Sequence, residues 1–205
     1  MRNIGFIGNC QMIGLCFYLQ ELLGNKYNIR WCLYTEKFKP SLYKRRIIDN
    51  LGRKIELKHW ADKCRNKIIR YDDSINFIKS CDVIIYQKIN IQTSKFFNEE
   101  NILKIKKPDA KLIKLPSIFI NYKNYDRSLL ELQKRENQNN VDIFVSQIID
   151  KNKPTNIMLS INHPTTFLFL EILKEICIIL KIHFFTNDQY LFFMKNMNFM
   201  ELPQN

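Results

Sequence analysis

The chain has 205 residues, 46% of them apolar and 25% charged, which suits one buried core and excludes a disordered or fibrous chain. That length leaves no room for two comfortable domains, so residues 1–205 read as a single domain. The net charge of +12 and pI near 9.4 attract anions, but the basic residues are scattered, and Lys44-Arg45-Arg46 and Lys104 to Lys107 are too short for a nucleic-acid arm.

Ile4 to Ile7 is a short apolar run ending at Gly8 and predicts a buried first strand. Ile13, Phe17, Leu19, Leu22 and Leu23 suit a helix over 11–23, stopped by Gly24-Asn25. Residues 28–34 read as a second strand, and the charged stretch 36–70 is expected to hold helix. Asp72 and Asp73 cap a helix through Lys79. A third strand covers 82–86 and ends at Gln87. Thr93 or Ser94 opens a helix to about Lys104, and Pro108-Asp109 breaks the chain.

Lys111 to Leu115 is a fourth strand, stopped by Pro116. Residues 129–135 and 141–150 read as helices separated by a polar turn over 136–140. A short strand at 158–161 precedes Asn162-His163-Pro164-Thr165, a loop that opens a long helix over 165–180. Residues 182–185 read as strand or loop. Strands alternating with helices predict an α/β fold with a small parallel sheet flanked by helices. Ligands in such sheets sit beyond the carboxyl ends of the strands, here Gly8-Asn9-Cys10, Gln87-Lys88 and Pro116-Ser117.

The six cysteines form no C-x-x-C pair, so no metal site is expected. Cys16, Cys32, Cys81 and Cys177 lie in apolar runs, where a thiol behaves as a small hydrophobe. The opening apolar run is too short for a signal peptide. The longest one, 167–185, carries Glu171, Lys174, Glu175 and Lys181, so no integral membrane segment is expected. Free thiols fit a reducing cytoplasm.

The turn at Gly8 invites comparison with a dinucleotide site, and Glu36 after the second strand favours one. Yet G-x-G-x-x-G needs a glycine where Cys10 stands, and Ile13 takes the third position. The same residues suit a nucleophile. A thiol in a helix's first turn is pushed toward thiolate by the helix dipole, and the free N–H groups there suit an oxyanion. Gly8 allows a tight turn and Asn9 can bond backbone or substrate.

The base for such a thiol comes from three histidines. His59 lies in a charged segment and His183 follows an apolar helix, whereas His163 sits just before a long helix, with Asn162 or a nearby carboxylate able to orient its ring. A Cys–His pair from the two chain ends is suited to acyl transfer.

Gly8-Asn9-Cys10-Gln11 and Asn162-His163-Pro164-Thr165 resemble the two ends of the WcbI family of polysaccharide-biosynthesis proteins. Asp82 to Gln87, Leu115-Pro116-Ser117-Ile118-Phe119 and Tyr122 extend the resemblance through the middle of the chain. The resemblance implies an SGNH-hydrolase-like fold with Cys10 at the nucleophile position and His163 as its histidine. It also implies a coenzyme A-dependent O-acetyltransferase, with acetyl-CoA as co-substrate and a sugar or polysaccharide precursor as acceptor in capsular or surface polysaccharide synthesis. Asn9, Gln11, Gln87, Ser117 and Asn162 would position substrate or hold an oxyanion. Lys44, Arg45, Arg46 and Lys88 are candidates for the phosphates of coenzyme A. No aspartate stands three residues before His163; Ser160 does. A thiol esterase with the same pair, and a non-catalytic nucleotide- or nucleic-acid-binding protein, are the alternative readings.

Overall fold

The computed structural model describes residues 2–34, 46–48, 54–56, 67–89, 92, 94, 96–153 and 157–196. Its frame is a five-stranded sheet, parallel throughout. The strands are β1 (Arg2–Ile7), β2 (Tyr27–Cys32), β5 (Ile68–Ile69), β6 (Val83–Gln87) and β7 (Lys111–Leu115), ordered β5-β2-β1-β6-β7. Short strands β3 (Arg46–Ile48) and β4 (Lys54–Glu56) pair antiparallel outside it. The helix expected over 36–70 is therefore corrected wherever the chain is described, since residues 46–48, 54–56 and 68–69 are strand. The chain builds outward from β1 to β2 and β5, then returns across β1 to β6. That reversal puts the switch point, where a crevice forms, between the ends of β1 and β6.

Side chains alternate between two cores, as the period of two requires. Trp31, Phe6, Ile85 and Ile113 are cross-strand neighbours in one row and belong to the larger core. That core is covered by α1 (Cys10–Leu23) and α6 (Thr166–Leu180). Cys32, Ile7 and Tyr86 face the other way, against Ile78 of α2 (Tyr71–Ser80) and Ile102 of α3 (Glu99–Ile105). Helix α1 is buried at every position from Gln11 to Gln20, as expected of a helix apolar on all sides. It crosses α6 at Gly14, where a Cβ would lie 2.6 Å from the Phe169 ring. The Tyr18 hydroxyl meets Thr166 Oγ1 at 2.9 Å across the same contact.

Helix α4 (Tyr125–Asn139) is longer than expected and runs through most of the predicted polar turn. The reason is Glu136, which is fully buried. Its carboxyl accepts from the Ser146 N–H at 3.0 Å and from the Ser146 hydroxyl, at the start of α5 (Val145–Lys151). Burial pushes that carboxyl above its ordinary value. Helix α3 begins at Glu99 rather than near 93, because Asn98 caps it by accepting from Asn101 N–H at 3.0 Å. Residues 182–186 have no regular structure, and α7 (Asn187–Asn196), absent from the sequence reading, follows. His163 lies in a strand, not a loop: β8 (Met158–Ser160) and β9 (His163–Pro164) form a hairpin with its tip at Ile161-Asn162. Pro164 belongs to that strand, and Thr165 caps α6 by accepting from Leu168 N–H. Among the described residues no helix is long and apolar enough to cross a membrane.

Candidate active site

Gly8 ends β1 with φ at +154°, a conformation that favours glycine. A Cβ there would stand 2.6 Å from both Gln87 Oε1 and Met12 Cγ. The Trp31 indole N–H donates to the Gly8 carbonyl at 3.2 Å, holding the turn against β2. Asn9 is the N-cap of α1, its Oδ1 accepting from Gln11 N–H at 2.9 Å. Cys10, half-buried, is therefore the first helical residue, where the helix dipole favours a thiolate.

The two glutamines expected to position substrate form a buried clamp. Gln11 and Gln87 are buried to 2% and 1% exposure. Asn9 N–H donates to Gln87 Oε1 at 3.0 Å, and Ile118 N–H donates to Gln11 Oε1 at 3.1 Å. Those two backbone donors fix both amide orientations. Gln87 Nε2 then donates to Gln11 Oε1 at 2.9 Å and to the Pro116 carbonyl at 3.0 Å. Gln11 Nε2 donates to the carbonyls of Ile118 at 2.7 Å and Asn162 at 3.0 Å. Both donors of each amide are thus committed, so neither side chain donates to an oxyanion. Gln11 N–H is committed to the cap as well. Among the described residues the Asn9 side-chain nitrogen, Nδ2, makes no hydrogen bond, which leaves it as a donor at the turn.

The Asn162 carbonyl in this clamp brings the His163 hairpin to the first turn of α1. Ile120 N–H donates to the Ile161 carbonyl at 2.8 Å, and the Tyr122 hydroxyl accepts from Ile157 and Met158 N–H at 3.2 and 3.0 Å. Asn162 thus acts in the clamp through its carbonyl. Burial lowers the His163 imidazole below its usual 6.5, so the ring is neutral at pH 7, as a base must be. A depressed histidine contributes stability above its unfolded value that is lost as pH falls through the folded one. An NMR titration is expected to place the His163 midpoint below 6.5. A midpoint above 6.5 would contradict this.

Tyr34, just past β2, was absent from the sequence candidates. Burial raises its hydroxyl, and the charge of Cys10 raises it further. Its position at a strand's carboxyl end was the available signal, hidden because it read as the strand's last residue. Ser117 and Lys88 line a cleft of about 860 Å³ beyond β6 and β7, with Asn98, Glu99 and Arg135. Lys44 and Arg45 lie outside the described residues, and Arg46 is described only as backbone at the start of β3. Cys16, Cys32, Cys81 and Cys177 are buried in the cores, and burial pushes Cys81 and Cys177 up to about 12. Cys64 and His59 lie outside the described residues. Among the described residues no group of three His, Cys, Asp or Glu could hold a metal ion.

Fold and site together define a doubly wound α/β protein with a cysteine opening the helix at its switch point. The chain is similar in structure to WcbI, described as a polysaccharide biosynthesis enzyme, with a TM-score of 0.59 and 12% sequence identity over 97% of this chain and 74% of that one. That structure is the native form without a disulfide bond between coenzyme A and a cysteine of WcbI. At this identity the likeness establishes a shared fold. No protein-family model and no curated protein sequence matches the chain.

Proposed function

We propose that this protein is a coenzyme A-dependent acyltransferase that acetylates a sugar hydroxyl during surface polysaccharide synthesis in the cytoplasm. The observation that carries the reading is the hydrogen bond from Gln11 Nε2 to the Asn162 carbonyl. It ties the His163 hairpin to the helix that opens on Cys10, which supports pairing residues from the two chain ends. The fold shared with WcbI supports the choice of acyl donor.

His163, neutral at pH 7, takes the proton of the Cys10 thiol. Cys10 Sγ then attacks the thioester carbonyl of acetyl-CoA, forming one carbon–sulfur bond as the other breaks. The proton held by His163 leaves with the coenzyme A thiol. In the second half His163 takes the proton of the sugar hydroxyl, whose oxygen attacks the acyl carbon; the carbon–sulfur bond to Cys10 breaks, and the proton passes from His163 to the released sulfur. The Asn9 side-chain amide suits the oxyanion. Ser117 and Lys88, which line one cleft, are candidates for the donor's carbonyl and phosphates, and Lys44, Arg45 and Arg46 are further phosphate candidates.

Acetyl-CoA turnover measured with and without a panel of sugars tests this reading. Release of coenzyme A accelerated by sugar, with the acetyl group recovered on the sugar, is expected. Equal release in both cases, with acetate as product, would make the protein a thiol hydrolase instead.

A further inference from the structure

A second cleft, of about 600 Å³, lies between α4, Phe119, Asn121 and the hairpin tip at Ile161. It shares Arg135 with the cleft at Lys88 and Ser117. Its size suits a small ligand, and its walls carry an unusual mixture. Phe119 is 40% exposed and presents an apolar face, while Asn121, Asn124 and Gln138 supply amides around it. Aromatic faces ringed by amides match the alternating C–H and hydroxyl surfaces of a sugar.

Charge makes the cleft more selective. Glu131 is its one carboxylate among the lining residues, and Arg127 pairs with it at 3.1 Å. Lys134 and Arg135 remain in excess. The Arg135 guanidinium is half-buried and lies 5.5 Å from the centre of the Phe119 ring. Its Nε donates to the Glu131 carbonyl at 3.2 Å. Among the described residues its terminal nitrogens make no hydrogen bond and no ion pair. Burial lowers the guanidinium below its usual range. A partly desolvated cation with an open fork is costly alone and suited to a two-oxygen anion.

We infer that this cleft binds the acceptor, and that Arg135 selects a sugar bearing a carboxylate or phosphate while Phe119 packs on its ring. The inference rests on the acyltransferase reading for the word acceptor, and on the cleft alone for the sugar. Carboxylate and phosphate offer the same paired oxygens to the fork.

Calorimetric titration of the full chain with glucuronate, glucose 6-phosphate and glucose separates the possibilities. At least one acidic sugar is expected to bind about tenfold or more tightly than glucose. Arg135→Gln should remove that preference and leave the binding of neutral glucose unchanged. Phe119→Ala, at an exposed position, should weaken acidic and neutral sugars alike. Shift mapping on the wild-type protein should place the perturbed amides in α4 and residues 119–121, whatever the variants do. Equal binding of acidic and neutral sugars, perturbation elsewhere, or an acidic-sugar preference that survives Arg135→Gln would each overturn the assignment. Arg135-dependent sugar binding without acyl transfer would sink the acyltransferase reading and keep the cleft. Acyl transfer without that binding would do the reverse.

Discussion

Cys10→Ala is expected to lower acetyl transfer about a thousandfold or more, because losing the nucleophile of a covalent mechanism removes the step itself. The change should leave the fold intact. Cys10 is half-buried at the first helical position, and Asn9, not Cys10, caps α1. A stability change within about 1 kcal/mol is therefore expected. Cys10→Ser separates nucleophile from filler, since the hydroxyl keeps the volume and loses the thiolate at pH 7. Full activity in Cys10→Ser would mean that His163 deprotonates the sugar directly and Cys10 only shapes the site. Paired measurements of kcat/KM and thermal midpoint on both variants decide between these outcomes.

Gly8→Ala is expected to cost more stability than any conservative change at the cysteine. Its φ of +154° is unfavourable for a side chain, and the new Cβ meets Gln87 Oε1 and Met12 Cγ at 2.6 Å. Moving Gln87 would break its acceptance from Asn9 N–H and its bond to Gln11. The loss is on the order of 3 kcal/mol from overpacking and strain together, or roughly 6–12 °C in thermal midpoint for a chain of this length. Activity should fall further than stability, since the same clamp places the Asn162 carbonyl. Gln87→Leu gives a second reading of the clamp, because it leaves Asn9 N–H without its acceptor. A melting curve unchanged in Gly8→Ala would contradict the clamp.

Much of the sheet was legible because its strands are unbroken apolar runs with clear stops. Ile4 to Ile7 ends at Gly8 and Lys111 to Leu115 ends at Pro116, so periodicity and breakers agree. The edges were harder to read. Strands β3, β4 and β5 are two or three residues long, too short for any period to register. Glu136 sits among polar residues that read as a turn, and nothing local says that Ser146, ten residues on, satisfies it.

The site shows the same division. The Gly8-Asn9-Cys10 turn is local chemistry, and its cap and helix start follow from short-range rules. The work of Gln11 and Gln87 is set by partners 107 and 76 residues away. A glutamine at a strand end looks equally suited to substrate or scaffold until those partners are in place. His163 stood out in the sequence by its place before a long helix, but its hairpin depends on register between β8 and β9 that so short a segment does not announce.

The measurement closest to the central claim is the intact mass of wild-type protein mixed with acetyl-CoA and quenched in acid without a sugar acceptor. The account predicts a gain of one acetyl group, mapped by peptide digestion to Cys10, and its disappearance when an acceptor sugar is added before the quench. An unmodified protein that nevertheless transfers acetyl to sugar, or an acetyl group on another residue, would contradict it.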